Sequence, residues 1–143
     1  MNINNISPEE WGPSAWRFMH YITFSYPDNP TNIDKQNMKS FFSTIGYILP
    51  CEKCRLNFSI HTATYPLNDD VLSSRFDLVN WLINVHNEVN KMNSKRIFTY
   101  DEAIDAYLYK KKDNCIIVNT RTAVIIVSIV IIIILIIIMK CIN

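Results

Sequence analysis

Apolar residues recur along most of this chain at the three-and-four spacing of helices, and the period-two alternation of strands is absent. Ser7-Pro8-Glu9-Glu10 has the pattern of a capping box and predicts a short first turn. Gly12-Pro13 interrupts that turn, and Pro13 suits the first position of a new helix carrying Trp16, His20 and Phe24 on one face and ending before Pro27. Thr31-Asn32-Ile33-Asp34 starts a second helix, whose Met38, Phe41, Phe42, Ile45 and Ile48 keep helical spacing up to Pro50. A third is expected over 51–62, stopping before Tyr65-Pro66. Ser74 caps a long fourth helix to 92, with Leu78, Val79, Leu82, Val85 and Val89 on one face. Thr99-Tyr100-Asp101-Glu102 is another capping box and opens a fifth helix ending in the basic run Lys110, Lys111 and Lys112.

The pattern changes at 123–139. There, 17 consecutive residues are nearly all Ile and Val, with Ser128 the only polar side chain. At ~1.5 Å per residue a helix of this length spans roughly 25 Å, near the short limit for a bilayer. The expected organisation is a domain over 1–112, a linker over 113–122, a transmembrane helix over 123–139 and a short tail over 140–143. With no N-terminal signal segment, the anchor would insert after synthesis. Lys110, Lys111, Lys112 and Arg121 precede the run and Lys140 follows it, which places the domain on the cytosolic side of a single-pass membrane protein.

Composition removes several functions. The net charge of +1 gives no reason to propose nucleic acid. With two glycines in 143 residues there is no Gly-rich phosphate loop, and neither a Walker motif nor a nucleophile elbow occurs.

The chemistry gathers elsewhere. Cys51-Glu52-Lys53-Cys54 is a C-x-x-C at an expected helix start, where the dipole and free N–H groups favour a thiolate and Lys53 and Arg55 add positive charge. The spacing suits a redox pair, half of a zinc site or chance, and the βαβ pattern of a thioredoxin is missing. His86 and Asn90 lie one turn apart on the fourth helix, as Trp16 and His20 do on the first. Taken singly, each is more often a core aromatic or a satisfied polar residue than a ligand. Together with the C-x-x-C they match what a planar heterocycle requires.

Gly12-Pro13-Ser14-Ala15-Trp16-Arg17-Phe18-Met19-His20, Tyr26-Pro27, Pro50-Cys51-Glu52-Lys53-Cys54 and Trp81 through Asn90 occur in an order and spacing that resemble the FAD-linked sulfhydryl oxidases of the Erv/ALR (augmenter of liver regeneration) type. The resemblance covers about residues 11–109. It implies an all-α four-helix bundle with a short fifth helix, a homodimer, and FAD at the bundle mouth beside the C-x-x-C. Trp16 and His20 would pack and hydrogen-bond the cofactor, with Gly12 and Pro13 close to it. His86, Asn87 and Asn90 would contact adenosine and ribose, and Lys91 or Lys95 the pyrophosphate. Trp81 would support the site, Tyr107 would stack near the adenine, and His61, two turns after Cys54, would face the cofactor.

The implied reaction is the oxidation of a dithiol protein, with electrons passing through Cys51, Cys54 and FAD to molecular oxygen to give hydrogen peroxide. The second, shuttle cysteine pair of cellular members is missing, since only Cys115 and Cys141 remain. The donor would then be another protein, such as a thioredoxin-like relay or a virion membrane protein. The tethered, shuttle-less form resembles members carried by large cytoplasmic DNA viruses, which suggests host intracellular and virion membranes. The alternative is a tail-anchored zinc-binding adaptor with Cys51, Cys54, His61 and His86 as ligands, although C-x2-C-x6-H-x24-H matches no usual zinc spacing.

Overall fold

The structure is a computed structural model, and it describes residues 6–109, 124–125, 127–129 and 131–140. The described residues are helical and contain no strand. The chain divides into two compact units, Met1–Tyr107 and Leu108–Asn143.

In the first unit five α-helices follow in order: α1 (Pro8–Phe24), α2 (Asn32–Ile48), α3 (Glu52–Thr64), α4 (Arg75–Met92) and α5 (Tyr100–Ile104), the last continuing into a π-helical turn, Asp105–Tyr109. α4 is the hub, packing against α1, α3 and α5, while α2 packs against α3. Its buried face carries Leu78, Val79, Leu82 and Val85 as the periodicity predicts, together with Trp81 and Ile83. Met19, Tyr26, Phe42, Phe58 and Leu72 close on Leu78, Trp81, Leu82 and Val85 to form the main core. Removing these apolar side chains from water drives the packing.

Four local expectations need correction. α1 is one helix from Pro8, with Pro13 inside it and no break at Gly12-Pro13. Pro13 deprives only the Glu9 carbonyl of a donor, and Glu9 is exposed, so water can serve it. Ser7 caps this helix through Glu9, accepting from its N–H at 3.4 Å and donating to its carboxylate, where the sequence pointed to Glu10. Ile48, expected on the apolar face of α2, is 65% exposed, and Leu49 packs on the core in its place. α3 runs on to Thr64 because Pro66, not Tyr65, is the obstacle. The caps at Thr31, Ser74 and Thr99 fall where predicted, with reciprocal capping boxes at Thr31–Asp34 and Thr99–Glu102. The basic run expected to end the fifth helix lies outside the described residues.

The end of α4 was not legible beforehand. Ser94 adopts a left-handed φ of 52°, its N–H donates to the Lys91 carbonyl at 3.1 Å, and the Lys95 N–H donates to the Asn90 carbonyl at 2.8 Å. That pair of bonds is a Schellman closure, with serine where glycine is usual.

In the second unit the described residues 124–125, 127–129 and 131–140 are helical and exposed, and Ser128 donates to the Val124 carbonyl at 2.9 Å. The expected single-pass membrane location is corrected here: no helix among the described residues is long and apolar enough to cross a membrane. The whole of the expected linker, and Cys115 and Cys141, lie outside the described residues.

Candidate active site

Pro50 ends the α2–α3 connection and delivers Cys51 to the N-cap of α3, in extended backbone. The Cys54 N–H donates to the Cys51 sulfur at 3.2 Å, so this sulfur fills the role a serine or aspartate oxygen plays in a common cap. Cys51 and Cys54 are joined as a disulfide with Cα atoms 5.0 Å apart. Arg55 braces the turn from below, its guanidinium donating to the Leu49 carbonyl at 2.5 Å. The two sulfurs differ in access. Cys51, and not Cys54, lines a cleft of about 600 Å³ formed by Ile6, Ser7 and Pro8 on one side and Pro50, Glu52, Lys53 and Arg55 on the other.

A second cluster joins α1 to α4. Trp16 stacks flat on His86, with ring centroids 3.9 Å apart and planes inclined by 4°. His20 and His86 share a hydrogen bond, Nε2 to Nδ1, at 3.0 Å, and Tyr107 from the π turn stacks on His20 at 4.2 Å. Burial pushes His20 down to about 3, aided by its neighbour His86; burial and then the Lys95 charge push His86 down to about 4. Both rings are therefore neutral near pH 7, and one donates while the other accepts. Burial also pushes the Tyr107 phenol up. The π turn matters because its wider register brings Tyr107 to His20, while Tyr21 secures the turn by donating to the Tyr107 carbonyl at 3.1 Å.

The remaining expected residues fall into five groups. Asn87 lines the same small space as His20, His86 and Tyr107, and its amide clamps the Phe98 main chain, donating to the carbonyl at 2.8 Å and accepting from the N–H at 2.9 Å. Asn90 and His61 are buried, and each keeps a side-chain nitrogen without a partner, as does Nδ1 of His20. Trp81 lies in the core, where its indole donates to the Tyr65 carbonyl at 2.7 Å and meets Phe42 edge-on at 4.7 Å. Lys91 pairs with Glu88 at 2.8 Å, and that hydrogen bond holds the Glu88 carboxyl below its usual range; Lys95 is exposed. Gly12 has open space where a side chain would stand, and Pro13 is exposed.

Trp11 was missed by the sequence reading. Its indole nitrogen is buried without a partner, and a single Trp in a first turn gives no periodic signal. Tyr65 was also missed; its hydroxyl donates to Glu88 at 3.1 Å, tying the end of α3 to α4.

Unpaired buried polar atoms are costly, at about 1–3 kcal/mol each. Orphans on α1, α3 and α4, with His20 itself in a stack of flat rings, fit a planar group that carries several hydrogen-bonding atoms. They do not fit a metal: among the described residues no three His, Cys, Asp or Glu side chains cluster to hold one.

Comparison with known proteins agrees with this chemistry. The chain is 50% identical over 101 residues to a probable FAD-linked sulfhydryl oxidase of Acanthamoeba polyphaga mimivirus, covering 71% of each. It is 34% identical over 90 residues to the mitochondrial FAD-linked sulfhydryl oxidase of Saccharomyces cerevisiae, a match that takes in 63% of this chain and 46% of that protein. A crystal structure of the FAD-binding domain of yeast Erv1 superposes with a TM-score of 0.66 at 29% identity, over 72% of this chain and 95% of that one. Residues 13–110 match the Erv1/Alr family, and the chain belongs to it.

Proposed function

We propose that this chain is an FAD-dependent thiol oxidase that makes disulfides in partner proteins and passes the electrons to oxygen. The observation carrying this reading is the Cys51–Cys54 disulfide at the cap of α3, with its outer sulfur open to a cleft. FAD fits the orphaned nitrogens of His20, His61 and Asn90 and the Trp16–His86–His20–Tyr107 stack. His86, Asn87 and Asn90 would hold the adenosine end, Lys91 or Lys95 would neutralise phosphate charge, and Gly12 and Pro13 would border the site. When bound, FAD supplies a two-electron acceptor that oxygen can reoxidise.

The protein's own part is thiol exchange. A substrate thiolate attacks the Cys51 sulfur, the Cys51–Cys54 bond breaks, and Cys54 leaves as a thiolate. A second substrate thiolate then attacks the substrate sulfur of the mixed disulfide and releases Cys51. The helix N-terminus favours charge on Cys51, because the Cys54 N–H already points at its sulfur. Two electrons have entered the pair, and the net reaction is 2 R-SH + O2 giving R-S-S-R and H2O2.

The substrate is a separate dithiol protein, a reading supported by the opening of Cys51 onto a cleft that an outside thiol can enter. The similarity to the mimivirus protein supports a viral-type member of the family. Homodimer formation is supported by Phe18, which is 57% exposed and packs edge-on to Phe41 at 6.3 Å, presenting aromatic surface across α1 and α2. The test of this function is flavin content together with dithiol-dependent oxygen uptake, with and without the cysteines.

A further inference from the structure

We infer that the cleft at Cys51 seats a short extended segment of substrate chain, with an acidic residue beside the reacting cysteine and an apolar residue after it. The inference rests on the thiol-oxidase reading and adds which kind of dithiol that site accepts.

The argument starts from reach. To form a mixed disulfide, a substrate sulfur must come within bonding distance of the Cys51 sulfur, so the substrate necessarily touches what surrounds it. That surround is a walled cleft: the segment Ile6 to Pro8 that leads into α1 stands opposite Pro50, Glu52, Lys53 and Arg55. Its volume of about 600 Å³ lies within the roughly 300–1,000 Å³ of sites that enclose small ligands. A few residues of extended chain fit such a space, whereas a folded domain would rest on its rim.

Charge and apolar surface then give the segment a sequence. Lys53 and Arg55 outnumber Glu52 in the lining, and the cleft lies between the amino termini of α1 and α3, both carrying partial positive charge. From Lys53 the outer face of α3 continues to Leu56 and Ile60, at i+3 and i+7, which are 61% and 52% exposed. The stripe is continuous with the cleft lining through Lys53, so a chain leaving Cys51 along α3 would cover it. The step itself is the exchange described above and needs no further reactant.

The test uses the full FAD-loaded protein and unstructured dithiol peptides that differ only in Asp or Lys beside the first cysteine and in Leu or Ser after it. Each kcat/KM is divided by that for dithiothreitol, so any effect on the sulfur chemistry itself cancels. The Asp-Leu peptide should lead, and Lys53→Glu should lower its ratio about fivefold. Leu56→Ser should remove the Leu preference, an effect of about tenfold. The inference is overturned if dithiothreitol is oxidised but the peptides rank equally in the wild type, or if a reduced folded thioredoxin-type protein outpaces every peptide. An enzyme that oxidises neither peptide nor dithiothreitol overturns the oxidase reading and this inference with it.

Discussion

Nε2 of His20 and Nδ1 of His86 lie 3.0 Å apart, so one proton is shared between α1 and α4 at the centre of the aromatic cluster. Both rings are held neutral by burial, at about 3 for His20 and about 4 for His86 against an ordinary value of 6.5. Below 6.5 the unfolded chain takes up protons that the folded pair refuses, so stability is fully present above 6.5 and falls as pH drops toward 4. By about pH 5 the cost is of order 2 kcal/mol per imidazole. Urea midpoints measured from about pH 7 to about pH 5 should fall, and the fall should shrink in His20→Gln. A wild-type midpoint that stays level across that window rules out a neutral, buried pair.

Trp16 covers His86 face to face at 3.9 Å, and this stack forms one wall of the proposed cofactor site. Trp16→Ala should weaken FAD binding by about 1–2 kcal/mol, or roughly tenfold in dissociation constant, whereas Trp16→Phe should retain most of the affinity. Titration of the unloaded protein with FAD, followed by flavin fluorescence, measures both. Equal affinities for wild type and Trp16→Ala remove the stack from the site.

Ser94 occupies the left-handed position that closes α4, with φ 52°. Glycine there relieves the side-chain clash, so Ser94→Gly should stabilise the protein by about 1 kcal/mol and raise its melting temperature. The closing bonds to Lys91 and Asn90 stay in place in this variant, so FAD affinity should not change. A lower melting temperature contradicts the Schellman assignment.

The helices were largely legible because their signals are local. Caps at Thr31, Ser74 and Thr99 and the apolar face of α4 depend on residues within a few positions of one another. Pro13 misled because a missing N–H is harmless where the orphaned carbonyl is exposed, and sequence does not record exposure. The site was legible in its residue types, and not in its pairing. Nothing in the spacing of positions 20 and 86 says that their rings share a proton, or that Trp16 lies on His86 and not on His20. The π turn that brings Tyr107 to His20 is likewise a register change that the periodicity of 100–112 conceals. Hydropathy alone made 123–139 read as a membrane span, whereas no helix among the described residues is long and apolar enough to cross a membrane.

The central claim is that Cys51 and Cys54 feed electrons from dithiols to oxygen through bound FAD. The most direct measurement is oxygen consumption and peroxide release by the flavin-loaded protein given dithiothreitol, in the wild type and in Cys54→Ser. The account predicts retained flavin in both proteins, with peroxide matching dithiol consumed in the wild type and no turnover above background in Cys54→Ser. A wild-type protein that keeps no flavin after refolding with excess FAD, or a Cys54→Ser variant that turns over normally, contradicts it.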